Sequence, residues 1–435
     1  MRRLAWEIFI GMMGLFALEI ACFLPTAAAE PFAPPTEIAV HMFELEYPSG
    51  AATTRSCYFG NERYGCTAVP DNWDYAYPYG SEWATVSIER DYLLDVVPQE
   101  MGTYYHATAI MSQAIAARSY AYWYIDHGYA INNSASYQVF LPWKFESLTS
   151  PLTKTTHPED PCASANLNFS QQVVCQAVTP RHYIAYGADE RPARTEFTAD
   201  VYGQTLTHPN QGTLYPYLLG VPNPISTACD ANNDGINLAG LSQEGASRWA
   251  RGHQCSYAGT LPGNRWAVAW SDARLILTHY YTGVHVRDAN NGNALLTPPR
   301  RFAVLSVNGG PASNPVCAIE TVYLTVRLHN TGVETWQPWA VGVGFCWGQQ
   351  CQRSQFVSQA VEPGAAWPPT GEAAVSIPPG RGELTLDMFY QPCENCDPEW
   401  FSASQTAPWP RQSLRRVVSD CRQRLPFINQ PWPIQ

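Results

Sequence analysis

Apolar residues in the stretch 90–124, RDYLLDVVPQEMGTYYHATAIMSQAIAARSYAYWY, fall into two blocks. Tyr92, Leu93, Leu94, Val96 and Val97 predict a buried element that stops at Pro98, which puts Glu100 at an edge where the chain turns. Ala107, Ile110, Met111, Ala114, Ala117, Ala121 and Tyr124 recur at three- and four-residue steps, and Gly128 follows, so this spacing predicts a helix with a small-residue face. Helical spacing returns over residues 241–251, opened by Gly240 and Ser242 with Ala246 and Ala250 on one face, and over 270–281 with Ala273, Leu277 and Tyr280. Strands are predicted at 37–43, 177–186 and 194–205, and then at 321–327, 341–345, 373–377 and 383–389, where Gly or Pro turns divide the runs. The pattern as a whole predicts an α+β fold: a mixed helix and sheet domain over 30–289, a linker over 290–300, and an all-β sandwich module over 301–435. On this division a chain ended near Asn293 is expected to fold and keep its activity.

Composition narrows the setting. A chain of 435 residues with 46% hydrophobic and 14% charged residues has material for more than one core. The net charge of −11, with lysine only at Lys144 and Lys154, argues against nucleic acid or an anionic membrane surface as partner, since each calls for a basic face. The start, MRRLAWEIFIGMMGLFALEIACFLPTAAAE, has basic, apolar and small-residue regions in turn, which predicts a signal peptide over 1–29 and a secreted or cell-envelope protein with no membrane contact beyond export. Of the 13 cysteines, loss of Cys22 with that segment leaves an even number, and local disulfides are expected at Cys57–Cys66, Cys162–Cys175 and Cys229–Cys255, each closing a short loop. Cys393 and Cys396 form a CxxC with no second pair beside it, so a zinc site is not expected there.

Two motifs carry a family resemblance. YLLDVVPQEM followed by QAIAARSYA resembles the signature of the stage II sporulation protein D (SpoIID) family, which includes amidase enhancers and lytic transglycosylases. GLSQEGASRWARG at 240–252 and ILTHYYTG at 276–283 resemble that family's second motif and closing tyrosine pair, and the resemblance spans roughly 82–286. It implies a protein acting on peptidoglycan glycan strands without a cofactor or metal, or alternatively a non-catalytic wall-binding protein that works beside a cell-wall amidase. SYQVF at 136–140 resembles a short family strand, and LHNTGVETWQPW resembles an immunoglobulin-like module attached to secreted enzymes.

On this resemblance Glu100 is the implied catalytic acid/base, while Gln113, Arg118, Asn237, Ser242, Gln243, Tyr280 and Tyr281 are candidates for substrate binding. One carboxylic acid suffices when the muramic C6 hydroxyl is the nucleophile, because the same group gives and then takes a proton. Each candidate has a plainer role beside it. Glu100 would cap a helix or pair with Arg118, Ser242 and Gln243 would start a helix, and the two tyrosines would fill the core. Three departures from the family pattern stand out. Asn237 replaces a histidine, removing proton exchange there; Asn133, Ser134 and Tyr137 occupy places where some members carry a Cys and a His for a metal; Gly203 and Thr205 match a glycine-rich turn that Asp200 and Tyr202 do not.

Overall fold

The computed structural model describes residues 32–41, 83–133, 136–140, 144–148, 160–187, 191–210, 214–227, 238–252, 268–307, 322–377, 380, 383–404 and 407–414. The leader at 1–29, the pairs Cys57–Cys66 and Cys229–Cys255, Ser134 and Asn237 lie outside the described residues.

Strand β1 (Glu37–His41) pairs antiparallel with β2 (Trp83–Ser87), and β3 (Ile131–Asn132) joins β1 in parallel. From β2 the chain passes through a π-helical turn, Ile88–Tyr92, into helix α1 (Leu93–Glu100). The expected stop at Pro98 does not occur. Pro98 is the sixth of eight helical residues, so the helix forgoes one donor, to Leu94, and ends two residues later with Met101 N–H on Val97 O at 2.9 Å. Leu93 to Pro98 are all buried, and that packing outweighs a proline cost of about 3 kcal/mol.

Helix α2 (Ala107–Asp126) is the axle of the first unit. His106 caps it through Nδ1, which accepts from Thr108 N–H at 3.2 Å, and almost every residue from Ala109 to Tyr124 is buried. Its alanines allow the close packing that their spacing predicted. Helix α3 (Phe169–Val178) is fixed by a reciprocal cap between Asn168 and Gln171 and by the Cys162–Cys175 disulfide, which ties the preceding loop to it. The predicted strand at 177–186 therefore begins later, as β4 (His182–Tyr186), after a turn in which Arg181 has φ of 48°. The next strands are short: β5 (Arg191–Pro192), β6 (Phe197–Thr198) and β7 (Leu241–Ser242), the last two pairing in parallel. Helix α4 (Gln243–Arg251) starts where Ser242 Oγ accepts from Gly245 N–H at 3.0 Å, and α5 (Ala273–Tyr280) starts at Asp272. With β8 (His285–Asp288) and β9 (Ala294–Leu295) the second sheet has the order β5-β4-β8-β9. Residues 290–300, read as a linker, thus contain a paired strand.

The C-terminal unit consists of two antiparallel sheets. β10 (Phe302–Val307), β11 (Val322–Asn330), β14 (Ala366–Trp367) and β15 (Ala373–Ile377) form one; β12 (Val341–Trp347), β13 (Gln350–Phe356), β16 (Leu384–Tyr390), β17 (Glu399–Trp400) and β18 (Gln412–Ser413) form the other. Disulfides join Cys346 to Cys351 across the β12–β13 hairpin and Cys393 to Cys396. In LHNTGVETWQPW, Asn330 Oδ1 accepts from Gly332 N–H at 3.0 Å and its Nδ2 donates to Glu334 O and Val361 O. A Cβ at Gly332 would meet Pro299 O at 2.6 Å, which explains the glycine in that motif.

The two units share one buried core. Arg301, fully buried, donates to Val284 O, Pro298 O and Thr331 O, and His279 Nδ1 lies 2.8 Å from His329 Nδ1 across the seam. A chain ended near Asn293 would leave this seam uncovered.

Candidate active site

Glu100 is the last residue of α1 and is only partly covered. Among the described residues its one hydrogen bond comes from Val139 N–H, which reaches Oε1 at 2.5 Å. That donor explains why SYQVF is not the strand it resembles. Val139 N–H is spent on a carboxylate, and Gln138 is pulled inward, accepting from Tyr92 OH at 2.9 Å and donating to Ala117 O at 3.2 Å. Burial pushes the Glu100 carboxyl up to about 7, against the smaller lowering effect of the Val139 N–H. Near neutral pH both protonation states are populated.

The loop after Glu100 is pinned to two helices. Thr103 Oγ1 donates to Ser170 Oγ on α3 at 3.0 Å, while Arg251 Nη2 donates to Tyr104 O at 2.9 Å and His106 N–H to Ser247 Oγ at 3.2 Å, both on α4. These bonds bring the second motif up to the first. Gln113 and Gln243 complete the junction, with Gln243 Nε2 donating to Gln113 Oε1 at 3.3 Å. Both are buried, and Gln113 Nε2 has no hydrogen-bond partner among the described residues.

Four of the other candidates are placed for structure and not for contact with substrate. Arg118 is fully buried; its guanidinium holds Glu89 through Nε at 2.9 Å and Nη2 at 2.7 Å, and also donates to His182 O and Val178 O. It does not pair with Glu100. Ser242 is the buried cap of α4. Tyr280 and Tyr281 are fully buried and offer no ring face to a sugar: Tyr280 OH donates to Asn223 Oδ1 at 3.2 Å and Tyr281 OH to Glu196 O at 2.8 Å. Burial raises both phenols far above their ordinary range, so they stay neutral.

Two features were missed in the sequence. Asp200, which departs from the glycine-rich turn pattern, receives two bonds at 3.0 Å from Arg248 Nη1 beside those from Val201 N–H and Ser242 Oγ, and Arg248 also bonds Ser226 Oγ and Glu244, locking α4 in place. Their sequence separation of 48 leaves no local signal for that pairing. A cavity of about 390 Å³ lies among Ala107, Met111, Val173, His182 and Arg274, and neither Glu100 nor any predicted binding residue lines it. The cavity's charged pair is already satisfied: Arg274 Nε and Nη2 hold Asp272 at 3.1 and 2.7 Å.

The mixed helix and sheet unit thus carries at one helix end a carboxyl that burial raises to about 7. Residues 81–165 match the model of the SpoIID family, described as a stage II sporulation protein, and this match takes in β2, Glu100, α2 and Cys162. The match supports a cell-wall-related function. No curated protein matches the chain.

Proposed function

We propose that the protein is a secreted or cell-envelope lytic transglycosylase that cleaves peptidoglycan glycan strands, with Glu100 as its single acid/base. The observation that carries this reading is the half-covered Glu100 carboxyl, raised by burial to about 7 and touched by one backbone N–H. Protonated Glu100 gives its proton to the glycosidic oxygen as the C1–O bond breaks. The carboxylate then removes the proton of the muramic C6 hydroxyl as that oxygen bonds to C1. The products are a free sugar end and a 1,6-anhydro ring, no water is consumed, and Glu100 returns protonated. No second carboxylate is required, unlike hydrolysis by paired acids. The C-terminal unit of two antiparallel sheets, carrying LHNTGVETWQPW, is read as an immunoglobulin-like module that supports the first unit through Arg301 and His329.

A second reading, wall binding without cleavage beside an amidase, is favoured by Asn237 in the family's histidine place. The two separate in one experiment. Purified protein is incubated with peptide-free and with peptide-bearing glycan strands, and anhydro-muramic ends are sought by mass spectrometry. The wild type is expected to make them and Glu100→Gln not to. Binding without new ends in the wild type would overturn the transglycosylase reading.

A further inference from the structure

The cavity of about 390 Å³ is walled by one stripe of α2, one stripe of α3, the start of α5, His182 of β4 and Leu296. That volume lies at the lower end of the range for small-molecule sites and suits a molecule the size of one sugar unit. Its charge narrows the occupant. Asp272 accepts from Arg274 N–H at 2.8 Å and holds the guanidinium through Nε and Nη2, while Arg274 Nη1 is spent on Leu296 O at 2.7 Å and Pro408 O at 3.4 Å. The pair is neutral as a whole and leaves neither ion to a ligand. Burial lowers the His182 imidazole below its ordinary value, against the opposing pull of Asp288, so it too is neutral near pH 7.

Met111, Ile115, Val173, Ala177 and Leu296 give the cavity an apolar lining. Beside it stand the Gln176 amide and the His182 ring, neither of which makes a side-chain hydrogen bond among the described residues. An aliphatic chain would leave those two groups unmatched, a bare sugar ring would leave the apolar lining uncovered, and a charged molecule would meet no partner. An acetamido group answers all three conditions. Its methyl covers apolar surface, and its N–H and C=O face an amide and an imidazole, each of which both donates and accepts.

We propose that this cavity is a second sugar site, which takes an N-acetylated amino sugar by its acetamido group with Gln176 and His182 as the hydrogen-bonding pair. The choice of sugar rests on the glycan reading of Glu100, while the binding itself needs no cleavage. The wall at Arg274 is fixed in advance from the C-terminal unit, where the guanidinium lies 5.8 Å over the Trp409 ring, so little ordering is left to be done on binding.

The test uses the full chain near pH 7 with single sugars, which hold no bond for the acid to break, and reads affinity by NMR titration. N-acetylglucosamine is expected to bind, and glucose and glucosamine to bind at least about tenfold more weakly. Gln176→Ala, a change at an exposed side chain, is expected to weaken N-acetylglucosamine about three- to tenfold. Ala107→Trp, which fills the cavity from the exposed first residue of α2, is expected to abolish binding, with the melting temperature of both variants close to that of the wild type. No binding of N-acetylglucosamine, equal binding of glucose, or unchanged affinity in Ala107→Trp overturns the inference and leaves Glu100 untouched. Affinity lost in Glu100→Gln but kept in Gln176→Ala overturns it as well, because the sugar would then sit at the acid.

Discussion

Glu89 and Glu100 stand near the two ends of one helical run, yet Glu89 is gripped by Arg118 and Arg181 and hydrogen-bonded by Tyr122, whereas Glu100 receives a single backbone N–H. Burial alone would raise the Glu89 carboxyl, but the two guanidinium groups outweigh it and hold the group below the ordinary carboxylate range. At Glu100 no cation among the described residues offsets burial, and the carboxyl rises to about 7. Depth is similar in kind at both sites. The partners decide which glutamate is a tie and which is an acid.

The widest separation between the two should appear in activity. Glu100→Gln keeps the side chain's shape and is expected to lower the rate of anhydro-end formation by about 100- to 10,000-fold, measured as initial rate on purified strands. Glu89→Gln is expected to act on stability instead. It leaves Arg118 buried without its carboxylate, a loss of about 3–5 kcal/mol by analogy with broken buried pairs, to be read from urea unfolding. If the two substitutions gave the same pattern, the division of labour between these glutamates would fail.

Much of this arrangement was legible in the sequence. The alanine spacing of α2, the Ser242 start of α4 and the strand runs beyond residue 320 all rest on local periodicity, and all are present. The apolar run before Glu100 correctly put that residue at an edge, although Pro98 proved to lie inside the helix. What could not be read was pairing across distance. Glu89 with Arg118, Asp200 with Arg248, and His279 with His329 are separated by 29, 48 and 50 residues, and no period records them. The same blindness misplaced Arg118, Tyr280 and Tyr281: their residue types suit a substrate, but only the packing shows that their polar atoms are already engaged and their surfaces covered.

The comparison sharpens further with pH. Glu100's folded value of about 7 lies above the ordinary 4.5, so its contribution to stability is complete below about pH 4.5 and is lost as pH rises through 7. Glu100→Gln should therefore be more stable than the wild type at pH 8, by up to about 3 kcal/mol, and not at pH 4.5. Thermal unfolding at the two pH values checks this, and equal differences at both would argue against a raised carboxyl.

A smaller effect is expected at the seam. His329 faces Gly364 O through Nε2 at 3.0 Å, and burial lowers it from 6.5 to about 4, with Gly364 opposing and Arg327 adding to the shift. A depressed histidine contributes stability above pH 6.5 that is lost as pH falls toward 4. Amide exchange in α5 and β11, corrected for the intrinsic pH dependence, should quicken between pH 6.5 and 4.5, ahead of exchange in α2. A seam as protected at pH 4.5 as at pH 7 would contradict the neutral histidine pair.

The central claim is that burial keeps Glu100 protonated close to neutrality while Glu89, held by Arg118 and Arg181, is ionised. A carboxyl-carbon NMR titration of glutamate-labelled protein, assigned by loss of signals in Glu100→Gln and Glu89→Gln, tests it directly. The account predicts a midpoint near 7 for Glu100 and one below the ordinary glutamate value for Glu89. A Glu100 midpoint near 4.5 would contradict it.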